Sequence, residues 1–264
     1  MSEIPSFPVE MYAKHPVLNV GGCILLGYRG SIAHGTYEPN TEPGSIDDVD
    51  LMGICVPDIE HYFGLRQWGS RGTREIMDDP WDIVLYEARK AISLLAKSNP
   101  NVLSLLWLPD ELYIHLEDAG RLLIEHRRLF ATKAAFKPLI GYAHSQLSKM
   151  ERAACKGYMG EKRRRLVEQH GYDTKNAAHL IRILRMGIEF LRTGELEVQR
   201  RDADELLEIK HGEWTLDEVK ASARFLFSVA EEAHAAAPLP EAPDMDAING
   251  LCRLVVSEHL GVAT

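Results

Sequence analysis

Residues 24–36 read Ile-Leu-Leu-Gly-Tyr-Arg-Gly-Ser-Ile-Ala-His-Gly-Thr, and after a polar segment residues 48–53 read Asp-Val-Asp-Leu-Met-Gly. The apolar residues from Cys23 to Leu26 predict a strand that leads into Gly30 and Ser31. Glycine has no side chain, so the backbone can approach a ligand closely there, and the serine presents a hydroxyl group at the same turn. We therefore expect a phosphate-binding turn after the first strand.

The second segment places two carboxylates close together. Asp48 and Asp50 alternate with Val49 and Leu51, so on a strand both acids project from one face while the apolar residues point into the core. Like charges at this spacing repel, which makes the pair costly unless a divalent cation lies between them. Because carboxylate oxygens suit Mg²⁺ or Mn²⁺, this strand is predicted to carry a metal site.

Together the two segments resemble the active-site signature of the DNA polymerase beta-like nucleotidyltransferases. That signature is a Gly-Ser pair, a short spacer and an Asp-x-Asp pair on the next strand, here Gly30, Ser31, Asp48 and Asp50. The chain also resembles, over roughly residues 20 to 220, the group of this superfamily predicted to work in RNA repair. That wider resemblance rests on Gly30-Ser31 with Gly35-Thr36, Asp48-Val-Asp-Leu-Met-Gly53, Asn99-Pro100-Asn101, and Tyr172-Asp-Thr-Lys175 with His179 and Arg182. The spacer from Tyr37 to Asp47 is a few residues longer than the superfamily norm.

The resemblance implies an α+β fold, in which a small mixed β-sheet nucleotidyltransferase core flanked by helices is followed by an all-helical C-terminal domain. We place the catalytic domain at residues 1–110 and the helical domain at residues 111–264. The family mechanism implies two Mg²⁺ or Mn²⁺ ions, held by three acids, that clamp the attacking and leaving oxygens of an in-line displacement at phosphorus. Gly30 and Ser31 would hold the nucleoside triphosphate, and His34, in the same turn, either meets a phosphate or has a structural role.

Asp82 is the predicted third acid. It opens a strand as Asp-Ile-Val-Leu, which is the pattern in which this superfamily places that residue. Asp78 and Asp79 fall in the preceding loop, and Glu87 would point to the opposite face of a regular strand. The alternative for Asp82 is an N-cap or a turn acid without a catalytic role.

A second group lies on a helix predicted from about Asp173 to Leu191. At 100° per residue Lys175, His179, Arg182 and Met186 share one stripe, opposite a leucine-rich stripe. The stripe either contacts phosphate, as the resemblance implies, or is a solvated helix face on which His179 has a packing role. Lys162-Arg163-Arg164-Arg165 is the densest positive charge in the chain and is either a helix surface or a track for a polynucleotide backbone.

Composition restricts the remaining possibilities. The chain has 264 residues, 30 Lys+Arg against 39 Asp+Glu, and a net charge of −9, which argues against extensive non-specific nucleic-acid binding but leaves room for a local basic patch. The four cysteines are scattered without a Cys-x-x-Cys pair, which disfavours a disulfide framework or a zinc site. No apolar run approaches the ~18 residues of a membrane span, and the first residues lack the features of a signal peptide. We therefore expect a cytoplasmic protein.

Local signals predict the order of the elements. Strands are expected at Leu51–Val56 and Asp79–Tyr86, separated by a Gly-rich connection from His61 to Arg74 that could flank a substrate. A helix runs through Lys97, and Asn99-Pro100-Asn101 stops it and starts the next helix. From Val102 onward the chain is predicted to be almost wholly helical. Further signals are a capping box at Thr215 that opens a helix to about Ala235, a linker at 236–243 and a last helix that ends near Leu260.

These observations favour a metal-dependent nucleotidyltransferase that moves a nucleoside monophosphate from a nucleoside triphosphate to an acceptor hydroxyl, an RNA end in the first instance. One acid could help to deprotonate that hydroxyl, and Lys175, His179 and Arg182 would neutralise phosphate charge. One alternative is AMP transfer to a protein hydroxyl, as in antitoxin-like members of the superfamily. Another is a catalytically decayed nucleotide- or RNA-binding module, against which the intact Asp-x-Asp pair argues.

Overall fold

The structure is a computed structural model that describes residues 4–18, 22–39, 47–153 and 161–262, without the side chains at 149, 151–153 and 161–163. The chain divides into two compact units. The first comprises Met1–Phe130 together with Pro243–Thr264, and the second comprises Ala131–Ala242.

The described residues form one five-stranded mixed sheet, which lies in the first unit. Its strands are β1 (Cys23–Tyr28), β2 (Val49–Cys55), β3 (Thr73–Asp78), β4 (Trp81–Glu87) and β5 (Tyr113–Leu116). Their order across the sheet is β3-β4-β2-β1-β5, in which β2 and β4 run parallel and the other neighbours antiparallel. The mixed sheet confirms the α+β class expected from the sequence.

The described residues also contain twelve α-helices. They are α1 (Glu10–Lys14), α2 (Gly30–His34), α3 (Glu60–Phe63), α4 (Ala88–Ala96), α5 (Pro100–Leu105), α6 (Asp118–Glu125), α7 (Phe136–Ala153), α8 (Glu161–His170), α9 (Thr174–Thr193), α10 (Ala203–Lys210), α11 (Leu216–Ala235) and α12 (Met245–Leu260). No helix among the described residues is long and apolar enough to cross a membrane.

The two central strands are the most buried part of the sheet. Every residue of β1 is buried, and in β2 only Asp50 is partly exposed. A strand covered on both faces carries a continuous apolar run instead of an alternating pattern, which is why this part of the sequence predicted strands so clearly. Asp50 is thus a charged residue within an otherwise buried, apolar strand.

Two strands were not predicted. Strand β3 reads Thr-Arg-Glu-Ile-Met-Asp and lies at the edge of the sheet, where most of its side chains are partly or fully exposed, so it lacks the apolar signature of a buried strand. Strand β5 reads Tyr-Ile-His-Leu and pairs with β1. The prediction that the chain is almost wholly helical from Val102 onward is therefore wrong at β5.

The predicted helix signals are confirmed where they depend on capping. The Asn99 side chain accepts hydrogen bonds from the backbone N–H groups of Asn101 and Val102, at 3.1 and 3.3 Å. Thr215 and Glu218 form a reciprocal capping box at the start of α11. These caps satisfy backbone N–H donors that a helix end leaves unpaired. Because the bonding residues are only two or three positions apart, the caps can be predicted from the sequence without knowledge of the packing.

The unit boundaries differ from the proposed division at residues 110 and 111. The first unit continues through β5 and α6 to Phe130, and it regains the end of the chain because α12 packs against α4 and α6. The packing of the last helix against the first unit is a long-range contact, which produces no local sequence pattern from which the boundary could be predicted. In the second unit α9 is the central helix, in contact with α7, α10 and α11.

The cysteines bear on the expected absence of disulfides. Cys23, Cys55 and Cys252 are free thiols, and Cys155 lies outside the described residues. Cys23 and Cys55 face each other across β1 and β2. A hydrogen bond with Cys23, together with burial, raises the pKa of the Cys55 thiol well above its usual range, so Cys55 is held as a protonated, unreactive thiol.

Candidate active site

Two acids lie side by side on the neighbouring strands β2 and β4. Asp50 of β2 is directly opposite Asp82 of β4 in the parallel register of these strands. Their side chains are 28% and 30% exposed, whereas Val49, Leu51 and Ile83 are buried. The period-two alternation of each strand thus turns both carboxylates to the same open face of the sheet, which is where the strand pattern placed Asp82.

Arg29 joins the two acids. Its Nη2 atom lies 3.3 Å from Asp50 Oδ1 and 3.2 Å from Asp82 Oδ2, and its backbone N–H donates to the Asp50 carbonyl at 2.9 Å. The Nε atom of Arg29 is buried and has no hydrogen-bond partner in the described part of the chain. Arg29 therefore compensates charge on Asp50 and Asp82, whereas the sequence argument considered only the repulsion between Asp48 and Asp50 and expected a divalent cation there.

Sequence reasoning missed Arg29. The signal that could have found it is a single arginine placed between the buried strand β1 and the start of α2. A cation at the end of a buried strand is seldom left unpaired, and the acids of Asp48-Val-Asp on the next strand are candidate partners.

Asp48 lies just before β2 and is exposed. Burial alternates from the exposed Asp48 to the buried Val49 and the partly exposed Asp50, and the projection of both acids from one strand face stays a prediction because β2 begins at Val49. Within the described residues no group of three or more His, Cys, Asp or Glu side chains is arranged to hold a metal ion. The structure brings Asp50 and Asp82 together, and the three-acid site with Asp48 stays a prediction.

The donor set of the acid pair fits a hard divalent cation. Asp50 and Asp82 offer carboxylate oxygens, the ligands that Mg²⁺ and Mn²⁺ prefer. The guanidinium of Arg29 already lies within 3.2–3.3 Å of one oxygen from each acid, which shows that positive charge is favoured between them. Asp50 and Asp82 are therefore the residues that would hold such an ion.

Gly30 is required by the position of Asp50. Its φ is +64°, and a Cβ at this position would lie 2.3 Å from Asp50 Oδ2. Both the left-handed backbone and the close approach exclude a side chain. The predicted turn is in fact the start of the short helix α2, which ends at Gly35, also in the left-handed region, with the Thr36 N–H bonded to the Ser31 carbonyl at 2.9 Å. Gly30 and Ser31 thus lie beside the acid pair.

His34 is buried in the structure. It occupies the last turn of α2 and is only 6% exposed. This burial agrees with the structural alternative stated for His34, and its contact with a phosphate stays a prediction.

The second predicted group lies on α9 in the second unit. Lys175 and His179 are half-buried, and Arg182 is 9% exposed. Arg182 Nη2 donates to His179 Nδ1 at 2.8 Å, and Nη1 contacts Met186 Sδ at 3.1 Å. Because a guanidinium can only donate, the neutral His179 ring carries its proton on Nε2. The interpretation of this stripe as a solvated face is wrong for Arg182.

Arg182 is a buried cation without an acidic partner. No carboxylate of the described residues forms an ion pair with it, and burial, reinforced by the charge of Arg200, lowers the pKa of Arg182 to about 10. A desolvated charge is costly unless it is paired. Arg182 is therefore in an environment that an anion would stabilise.

Other motif residues on α9 have structural roles. The Asp173 side chain accepts from the Asn176 N–H at 2.9 Å and caps the helix. Tyr172 donates its hydroxyl to the Trp214 carbonyl at 2.5 Å, and Asn176 Nδ2 donates to the Gln146 carbonyl at 3.3 Å. These bonds fix the start of α9 and hence the position of Lys175.

The basic cluster at 162–165 lies on α8. Arg164 and Arg165 are exposed, and the side chains of Lys162 and Arg163 lie outside the described residues. The spacer from Tyr37 to Asp47 is likewise outside them between residues 40 and 46. Contact of the cluster with a polynucleotide stays a prediction.

The comparisons with known proteins identify a family and a similar solved structure. The crystal structure of a nucleotidyltransferase-like protein from Exiguobacterium sibiricum, at 1.90 Å resolution, is similar at 11% identity and a TM-score of 0.30, over 95% of this chain and 76% of that one. No curated protein matches the sequence. A model of the RNA repair pathway DNA polymerase beta family matches residues 13–254, which include β1, β2, β4 and α9. The chain therefore belongs to the RNA repair pathway DNA polymerase beta family.

Proposed function

We propose that the protein is a metal-dependent nucleotidyltransferase that moves a nucleoside monophosphate from a nucleoside triphosphate to the hydroxyl at an RNA end and releases pyrophosphate. The observation that carries the proposal is the register of Asp50 with Asp82, with the Gly30 backbone held against Asp50. Membership of the family supports the reaction class and RNA as the acceptor.

Each residue near the acid pair has a chemical role in this proposal. Asp50 and Asp82, joined by Asp48, would hold two Mg²⁺ or Mn²⁺ ions, which when bound supply charge stabilisation to the attacking and leaving oxygens. Gly30 and Ser31 bind the triphosphate through the backbone and the hydroxyl. One carboxylate accepts the proton of the attacking hydroxyl.

Arg29 and His34 complete this group. The buried Nε–H of Arg29 has a donor to spare and would donate to a phosphate oxygen, while its Nη2 orients the two acids. His34 would contact the same phosphates from the last turn of α2.

The residues of α9 act on phosphate charge. Arg182 is desolvated, and no carboxylate of the described residues forms an ion pair with it, so a phosphate that reached it would replace a costly burial by a charge-assisted hydrogen bond. Lys175 and His179 would add a second charge and a ring donor. The exposed Arg164 and Arg165 would follow the RNA backbone.

The test is a transfer assay with each α-labelled nucleoside triphosphate, Mg²⁺ or Mn²⁺, and either RNA or cell lysate. The labelled product is divided between nuclease and protease digestion, and Asp50→Asn serves as the catalytic control. We expect nuclease-sensitive label and pyrophosphate release with the wild-type protein and neither with Asp50→Asn. Label that only protease removes would instead establish AMP transfer to a protein hydroxyl. Absence of transfer with all four nucleotides would refute the proposal.

A further inference from the structure

A basic cleft lies in the first unit beside the connection between β2 and β3. It has a volume of about 620 Å³ and is lined by four cations, Arg66, Arg71, Arg89 and Lys90, and by the aromatic residues Tyr62 and Trp68. Neither the acid pair nor Arg29 lines it. None of these six residues has a role in the proposed catalytic chemistry.

The cleft is separated from the acid pair by the length of a strand. Glu87, which also lines the cleft, closes β4 five residues after Asp82, and a strand rises about 3.3 Å per residue, or about 16 Å over this stretch. The cleft and the acid pair therefore lie at opposite ends of β4. A ligand in the cleft would not occupy the place of the reacting phosphates.

Positive charge is concentrated here in a chain of net charge −9. Between His61 and Arg74 the sequence has three arginines and no acidic residue. Arg89 is paired with Glu87 at 3.0 Å and Arg66 with Glu60 at 2.9 Å, but Arg71 is exposed and forms no ion pair with the described residues. At least one cation of the cleft is thus available to a ligand.

Arg71 also has an unusual backbone. Its φ is +51°, next to Gly72 at +76°, in the left-handed region that strains any residue with a Cβ. The exposed side chain of Arg71 adds a positive charge to the lining of the cleft.

Exposed apolar side chains lie in the segment that lines the cleft. Leu65 lines it and is fully exposed, and Phe63, 86% exposed, stands in the sequence between the lining residues Tyr62 and Gly64. The guanidinium of Arg89 lies over the Tyr62 ring at 4.4 Å. Proteins that bind single-stranded nucleic acid combine cations that follow the phosphates with aromatic side chains on which bases stack. An acidic peptide would use the cations but has no bases for Phe63.

We propose that this cleft binds single-stranded RNA, with phosphates on Arg66 and Arg71 and a base on Phe63. The inference rests on the proposed function in one respect, because it makes this RNA the acceptor, held several nucleotides from the end that reacts. Binding itself needs neither the metal nor the nucleoside triphosphate.

The test measures binding without catalysis. Fluorescence anisotropy of a labelled single-stranded RNA of about 12 nucleotides, within the usual range of site sizes, is recorded without metal or nucleotide between about 50 and 200 mM salt. The variants are the double substitution Arg66→Ala with Arg71→Ala, and Phe63→Ala. The control is Arg121→Ala, which removes a 59% exposed arginine of the same unit that does not line the cleft.

The two variants have different expected signatures. The double arginine variant weakens binding by about tenfold or more and reduces the salt slope by about 1.4, or about 0.7 for each lost phosphate contact. Phe63→Ala weakens binding about tenfold with an unchanged slope, because stacking releases no counterions. Arg121→Ala changes neither quantity. The substituted side chains are exposed, and circular dichroism confirms that each variant is folded.

Two results would overturn the inference. One is wild-type affinity in both cleft variants, and the other is displacement of the RNA by polyglutamate as effectively as by RNA of equal charge, which would identify an acidic protein as the ligand. RNA binding that depends on the cleft without any transfer activity would refute the proposed function and leave this inference standing. Transfer to RNA with unaltered binding in the cleft variants would do the reverse.

Discussion

Two buried arginines of the second unit allow a direct test of the role of α9. Arg182 has no carboxylate partner among the described residues, whereas Arg200, whose side chain is 3% exposed, bonds Glu189 at 2.6 and 2.9 Å and Asp202 at 2.7 Å. Replacing each by methionine keeps the apolar stem and removes the charge. The two substitutions should therefore have opposite effects on stability.

The magnitudes follow from what each change leaves behind. Arg200→Met removes a partner from two carboxylates, and breaking a buried ion pair costs about 3–5 kcal/mol. The lower end applies, because Glu189 is 37% exposed and Asp202 keeps Arg185 at 2.6 Å. Arg182→Met removes only contacts with a neutral imidazole and a thioether and relieves the burial of a charge. We expect a change between zero and about 2 kcal/mol of stabilisation, as when buried charges are replaced by apolar side chains.

The assay is thermal unfolding at pH 7 with and without a nucleoside triphosphate. At about 2–4 °C for each kcal/mol, Arg200→Met should lower Tm by about 6–12 °C, while Arg182→Met should leave it unchanged or raise it. If Arg182 binds phosphate, the Tm increase that the triphosphate gives the wild-type protein should shrink in Arg182→Met, and kcat/KM for transfer should fall about tenfold or more. Destabilisation of Arg182→Met comparable to that of Arg200→Met, with normal kinetics, would refute this reasoning and leave Arg182 with a structural role.

Three further predictions concern the acids and their partners. Asp50→Asn should abolish transfer and change the free energy of unfolding by less than about 1 kcal/mol, since the amide oxygen can still accept a hydrogen bond from Arg29. A transfer assay and urea unfolding of the same preparation measure the two effects, and wild-type turnover would exclude a metal-binding role for Asp50. Arg29→Met should lower Tm by about 2–4 °C without divalent cation, because Asp50 and Asp82 then repel each other, and Mn²⁺ should restore most of the loss; Arg121→Met is the control, and a deficit insensitive to Mn²⁺ would contradict the metal site. Although burial opposes it, hydrogen bonds from Arg200 and Arg185 lower the pKa of Asp202, so the stabilising contribution of this carboxylate is present above about pH 4 and is lost as pH falls through the depressed folded pKa. The Tm difference between wild type and Asp202→Asn should therefore be largest near pH 7 and should vanish in acid. A constant difference down to pH 2–3 would show that Asp202 does not titrate with this network.

The sequence predicted the parts of the site that depend on strand alternation and local spacing. Asp82 was chosen because Asp-Ile-Val-Leu matches the superfamily pattern for the third acid, and the structure places it opposite Asp50 because each is the second residue of its strand and the two strands pair in parallel. Gly30 was singled out as a glycine at a turn where the backbone can approach a ligand closely, and in the structure the group that approaches it closely is Asp50. These inferences used local sequence patterns and did not require the order of the strands in the sheet.

Burial of charge was the part that sequence could not show. A helical wheel assigns Arg182 to a polar stripe, but α9 is surrounded by α7, α10 and α11, and packing on several sides buries the stripe as well. Arg29 was missed for a related reason, because its partners lie on two strands and one of them, Asp82, is 53 residues away in sequence. Long-range contacts of this kind leave no periodic signal.

The two arginines indicate what a ligand has to supply to each unit. In the first unit the guanidinium of Arg29 lies between the carboxylates of Asp50 and Asp82, whose oxygens suit a divalent cation. In the second unit no carboxylate of the described residues forms an ion pair with the buried Arg182, and burial lowers its pKa. An anion such as a phosphate would therefore offset the cost of burying this charge. Because the two groups lie in different units, the Mn²⁺ rescue of Arg29→Met and the triphosphate response of Arg182→Met test them independently.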